Sequence, residues 1–167
     1  MARWVYLLTA FTVLAAWAGA QNPAPPLSAE DKLRLLRANG TLLDNLVRDG
    51  VALSAADTPD RRAEECRRSA LNLANAIGAA AAAEDAERVA ELTGLFRDIV
   101  RDGLVPTIND GLATVPPQSP AARKLREVQG HAADDVTKVK AATGKWAENP
   151  RIKDALKQLD QVAEGLK

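Results

Sequence analysis

From Leu33 to Leu166 the apolar positions recur at intervals of three and four residues, the period of helices that bury one face. Leu33, Leu36, Leu43 and Val47 form one stripe, and Leu35, Leu42, Leu46 and Leu53 form a second beside it. Two adjacent stripes predict a broad buried face on a first helix. Ser28 stands as its N-cap, with Asp31 in a capping-box position. Gly40 and Gly50 each weaken such a helix by roughly 1 kcal/mol relative to alanine, and Asn39-Gly40 is a turn signal. The period passes through both without a phase shift, so one continuous helix is expected.

A second helix begins at Thr58-Pro59, where proline at the first helical position gives up an N–H that would have no intrahelical partner. Its stripe is Ala63, Cys66, Ala70, Leu73, Ile77 and Ala81. Glu84-Asp85 predicts a tight reversal after the alanine run, with Asp85 capping a third helix striped by Val89, Leu92, Phe96 and Ile99; one long helix through this point is the alternative, since no Gly or Pro stands there. Pro106 falls inside a continuing pattern of Leu104, Ile108, Leu112 and Val115, which predicts a kink or short break. "VPPQSP" is a loop near 115–120. Ser119-Pro120 opens a fourth helix carrying Leu125, Val128, Ala132, Val136, Val139, Thr143 and Trp146. Asn149-Pro150 opens a last one carrying Ile152, Leu156, Leu159, Ala163 and Leu166. The expected fold is all-α: an antiparallel bundle of four to five helices in one domain over 28–167.

The first twenty residues stand apart. "MARWVYLLTAFTVLAAWAGA" has one charge, Arg3, then an uncharged stretch ending in Ala18-Gly19-Ala20. That is the three-part pattern of a signal peptide, with cleavage expected between Ala20 and Gln21. The alternative is an uncleaved anchor, for which the uncharged stretch is at the short limit of about 17–25 residues. A proline-rich leader, 21–27, follows. Export to the periplasm or exterior is the expected localisation.

Removing that segment takes Trp4, Tyr6, Phe11 and Trp17 with it and leaves Phe96 and Trp146 as the aromatics. A core of Leu, Val, Ile and Ala suits close-packed helices better than a β-sandwich. In the mature chain 22 acidic residues face 21 basic ones. This balance favours neither nucleic acid nor an anionic membrane surface as partner, and no membrane insertion is expected after cleavage.

Candidate chemistry is sparse. No C-x-x-C, C-x-x-C-H, H-E-x-x-H or paired E-x-x-H motif occurs, and the sole methionine is Met1. Glu127, His131 and Asp135, spaced four apart on one helical face, read as a surface histidine held between two acids; a metal site with these as weak candidate ligands is the alternative. "RRAEECRR" interleaves arginines with Glu64 and Glu65, which predicts a solvated, internally paired face. Cys66, the only cysteine, lies inside an apolar stripe and reads as a small hydrophobe. The alternative for an exported chain is an intermolecular disulfide. Catalysis ranks last, because the only histidine is 65 residues away. The texture resembles exported four-helix cytochromes and envelope stress chaperones, but the haem ligands and the repeated L-T-x-x-Q of those groups are missing.

One internal echo stands out. "LLDNLVRDGV" at 42–51 aligns without gaps on "LFRDIVRDGL" at 95–104, as an old hairpin duplication or as a chance match between amphipathic helices. The sequence therefore predicts an exported, non-enzymatic envelope protein without cofactor, acting by contact with an unknown protein partner or by self-association. The alternative is a small-ligand or metal-binding bundle, even an enzyme, built around His131.

Overall fold

A computed structural model of the chain describes residues 29–166. The signal-type segment, the Ala20–Gln21 junction, the proline-rich leader and the Ser28 cap lie outside the described residues, as do the side chains of Asp31, Leu33, Leu35 and Leu36. The described chain is helical, with no strand. In order come α1 (Ala29–Ala55), α2 (Pro59–Ala82), α3 (Ala86–Asp98), a π-helical stretch (Ile99–Leu104), α4 (Val105–Thr114), α5 (Pro120–Thr143), a 3₁₀ turn (Gly144–Trp146) and α6 (Pro150–Glu164). Because α3, the π stretch and α4 run on without interruption, these amount to five helices. None of the described helices is long and apolar enough to cross a membrane.

The chain divides into two units, Met1–Ala38 and Asn39–Lys167. Of the first, the described part is the opening of α1, where Glu30 and Arg37 are exposed. The second is a helical bundle organised around α2, which packs against α3, α4, α5 and the π stretch, while α6 closes over α3. Helix α2 can occupy the centre because its inward positions are small: Ala63, Cys66, Ala70 and Ala80 are buried with Leu73 and Ile77. Phe96, Leu92, Val100, Leu104, Ile108, Leu125, Val136, Ile152 and Leu159 complete the core, each at most 1 % exposed. Small residues let the axes approach, and the larger ones fill the space between them.

The helix starts follow their cap chemistry. Asp85 Oδ1 accepts from the Arg88 amide at 2.9 Å, Ser119 Oγ from the Ala122 amide at 3.1 Å, and Asn149 Oδ1 from the Arg151 amide at 3.0 Å. Thr58 is different: its carbonyl accepts from Arg62 N, but its hydroxyl is buried without a partner. The reversal at Glu84 requires φ = 59°, an uncommon conformation for a residue with a side chain.

Pro106 does not interrupt the run of helix. Immediately before it the helix widens into the π stretch, and the Val105 N–H reaches back five residues to the Val100 carbonyl. The wider turn carries the chain past the amide that proline lacks. In α6 the buried line is Ile152, Ala155, Leu159, Val162 and Leu166, so Leu156 and Ala163 are half-buried at its edge. Both lines satisfy a three-and-four spacing, and the packing of α6 selects the one rotated towards α3. Trp146 ends up outside α5, half-buried, with Lys145 Nζ 4.2 Å from its ring centre.

The largest departure is on α1. Leu42, Leu46 and Leu53 pack against the core as expected, whereas Leu43 and Val47 are 45 % and 66 % exposed. With about 100° per residue, the line Leu43, Val47, Val51 lies roughly 130° round the helix from the line that is buried. One helix surface cannot present both lines to the same neighbour.

Candidate functional site

The residues proposed for metal binding do not converge. Glu127 and His131 are exposed on α5, but Asp135 points inward and is 1 % exposed. Its Oδ2 accepts from Arg67 Nε at 3.2 Å and lies 3.1 Å from Arg67 Nη2. Lys138 Nζ stands 3.4 Å from Oδ1. Asp135 is therefore committed to an inter-helix ion pair, and no group of three or more His, Cys, Asp or Glu among the described residues is placed to hold a metal ion. The spacing of four put the three residues on one face; the rotation of α5 about its axis then turned that face's far edge into the bundle.

The "RRAEECRR" segment is paired, partly along its own helix and partly across to α5. Arg68 meets Glu65 at 2.8 Å, Lys124 meets Glu64 at 2.8 Å, Arg62 Nε donates to the Ala56 carbonyl at 3.0 Å, and Arg67 takes Asp135. Between them Cys66 is 7 % exposed and faces the π stretch, 3.9 Å from where a Cβ on Gly103 would stand. Burial pushes its thiol pKa up; a hydrogen bond with the Thr107 side chain partly offsets this, and the charge of Glu65 adds to the rise. A thiol held neutral in this way is a poor nucleophile.

The outer face of α1 has a different character. Gly40, Leu43, Val47, Gly50, Val51 and Ser54 fall within a sector of about 100° on the helix, and that sector carries no charge. Val51 is 65 % exposed, like Val47 beside it. The exposed Ser54 hydroxyl donates to the Val51 carbonyl at 2.7 Å. A solvated helix ordinarily covers its outer face with charged side chains, and here they are confined to one rim by Asp44 and Arg48. No protein in the searched families, curated sequences or solved structures matches this chain.

The internal echo gives this face its meaning. Leu43, Val47 and Val51 align with Phe96, Val100 and Leu104. Those three are 0 %, 1 % and 0 % exposed, locked against neighbouring helices, while their counterparts on α1 are open to solvent. The same four-residue ridge occurs twice, once with a partner and once without one among the described residues.

The opposite face of α1 holds it in place. Asp49, 2 % exposed, accepts from Asn72 Nδ2 at 2.7 Å, and Asn39 accepts from Arg88. Sequence reasoning named neither pair. A signal for the first existed: Asp49 falls at helical spacing between Leu46 and Leu53, on the line that is buried.

Proposed function

We propose that this chain is an exported, non-enzymatic protein of the cell envelope, an antiparallel helical bundle that works as an interaction or structural module through the outer face of α1. The observation that carries the reading is the exposed ridge of Leu43, Val47 and Val51 on a sector without charge. Apolar side chains aligned over about two helical turns form a contact surface, whereas scattered ones do not. The uncharged N-terminal stretch after Arg3 and the small residues Ala18-Gly19-Ala20 support export.

The test is a pull-down from the native envelope fraction with wild-type protein and with Val47→Arg. The proposal requires a captured species that the variant loses. Identical profiles from the two proteins contradict it. N-terminal sequencing tests export separately: a mature chain beginning at Gln21 is the expected product, and membrane-bound material beginning at Met1 or Ala2 contradicts it.

A further inference from the structure

We infer that the outer face of α1 pairs with the same face of a second copy of this chain, the two helices running antiparallel about a two-fold axis at Val47. This rests on the interaction-module reading and names its partner.

In an antiparallel pair centred on Val47, Leu43 lies opposite Val51 of the second copy and Val47 lies opposite itself. Gly40 then meets Ser54. Each apolar residue faces an apolar one, and the small residues Gly40 and Ser54 face one another where backbones must approach. A Cβ built on Gly40 or on Gly50 would meet nothing within 4 Å among the described residues, so none of them occupies that approach.

Charge then selects the direction. Asp44 and Arg48 share one rim of the sector, both exposed and neither with an ion-pair partner among the described residues. A two-fold axis perpendicular to both helices keeps that rim on the same side in the two copies. It sets Asp44 within about two residues, roughly 3 Å along the axis, of Arg48 of the second copy, and does so twice. A parallel pair about an axis along the helices places the two rims on opposite sides and makes neither bridge. A membrane surface or an unrelated helix has no use for this self-complementary register.

Shape agrees. Leu43, Val47 and Val51 form a ridge along every fourth residue, an element that packs into the grooves of a facing helix. The matching positions Phe96, Val100 and Leu104 are buried within the bundle. One helix crossing covers less than the roughly 800 Å² per partner of a standard stable interface. The dimer is accordingly a weak and reversible one.

The experiment is sedimentation velocity on protein purified after expression of the whole chain, from about 1 to about 500 µM, a range that brackets weak association. The expected result is a mass that climbs from one chain towards two. Val47→Arg and, independently, Val51→Arg hold the protein at one chain, with circular dichroism confirming that both remain folded. Asp44→Arg weakens the dimer about tenfold, and Asp44→Arg with Arg48→Asp restores it. In a Cys66→Ala background, Val47→Cys closes a disulfide between copies. A wild-type chain that stays monomeric throughout, including one that instead binds lipid vesicles, overturns the inference. So does a dimer indifferent to Val47→Arg and Val51→Arg, or a charge swap that fails to restore association. A monomer that still captures an envelope protein through Val47 overturns self-pairing alone and leaves the interaction reading standing.

Discussion

Arg67 and Asp135 join α2 to α5 through one carboxylate oxygen, with Nη2 and Nε at 3.1 and 3.2 Å from Oδ2. The two residues are not equally buried: the Asp135 side chain is 2 % exposed and that of Arg67 is 25 % exposed. The carboxylate has given up its water and depends on the guanidinium, while the guanidinium keeps part of its hydration. Truncating Arg67 is therefore worse than the mean value of an ion pair suggests, because it leaves the buried carboxylate with only the exposed Lys138 ammonium at 3.4 Å.

Arg67→Ala is expected to lower stability by about 2–4 kcal/mol in urea denaturation, below the upper range for buried pairs because Arg67 is partly solvated. Replacing both partners, Arg67→Met with Asp135→Leu, should recover most of that loss. His131→Ala, one turn away but exposed, should change stability by less than about 0.5 kcal/mol. A single-mutant loss no larger than that of His131→Ala would show that the pair holds nothing together.

Gly111 marks the closest approach between α4 and α5. A methyl group there would lie 2.9 Å from Leu125 Cδ1 and 3.0 Å from Pro59 Cβ. Gly111→Ala is expected to destabilise by about 1–3 kcal/mol through overpacking. Gly130→Ala, in the middle of α5 with nothing within 4 Å, is expected to stabilise by about 0.5–1 kcal/mol from helix propensity. Thermal melts of the two variants should move in opposite directions; shifts of the same sign contradict the packing described.

Cys66 gives a prediction in pH. Its folded pKa lies above the ordinary 9.0 because burial disfavours the thiolate. The folded state thus holds the proton after the unfolded chain has released it. Stability from this group is fully present below pH 9 and declines as pH rises from there towards the folded pKa. Cys66→Ala should flatten that alkaline decline in urea titrations, and a native-state thiol reagent should label Cys66 slowly until denaturant is added. Rapid labelling of native protein would contradict the burial.

Asn72→Ala removes the partner of buried Asp49 and should loosen α1 before the rest of the bundle. Hydrogen exchange is expected to quicken over 39–55 while Phe96 and Leu125 retain their protection. Uniform acceleration across all helices would mean that α1 does not open separately.

Much of this architecture is legible in the chain because local chemistry decides it. Pro59, Pro120 and Pro150 each open a helix, and Asp85, Ser119 and Asn149 make the cap bonds that their side chains invite. The stripe of α2 from Ala63 to Ile77 is read off correctly because only one apolar line runs along it. Where two lines compete, spacing alone does not choose. On α1 the core takes Leu42, Leu46 and Leu53, and on α6 it takes Ala155 and Val162 in preference to Leu156 and Ala163. Asp135 was misjudged for a related reason. Its neighbours at four-residue spacing, Glu127 and His131, suggest a surface cluster, whereas its partner Arg67 lies 68 residues away in sequence. Only the packing of α2 on α5 reveals that pair.

The outer face of α1 as the working surface is the central claim, and photo-crosslinking in the expressing cell tests it most directly. A benzophenone side chain placed at Val47, compared with one at Lys157, which is exposed on α6, samples the two surfaces under the same conditions. A discrete protein adduct is expected from position 47, at twice the mass of one chain where the partner is a second copy, and none from position 157. Adducts of equal yield from both positions, or none from position 47, would contradict it.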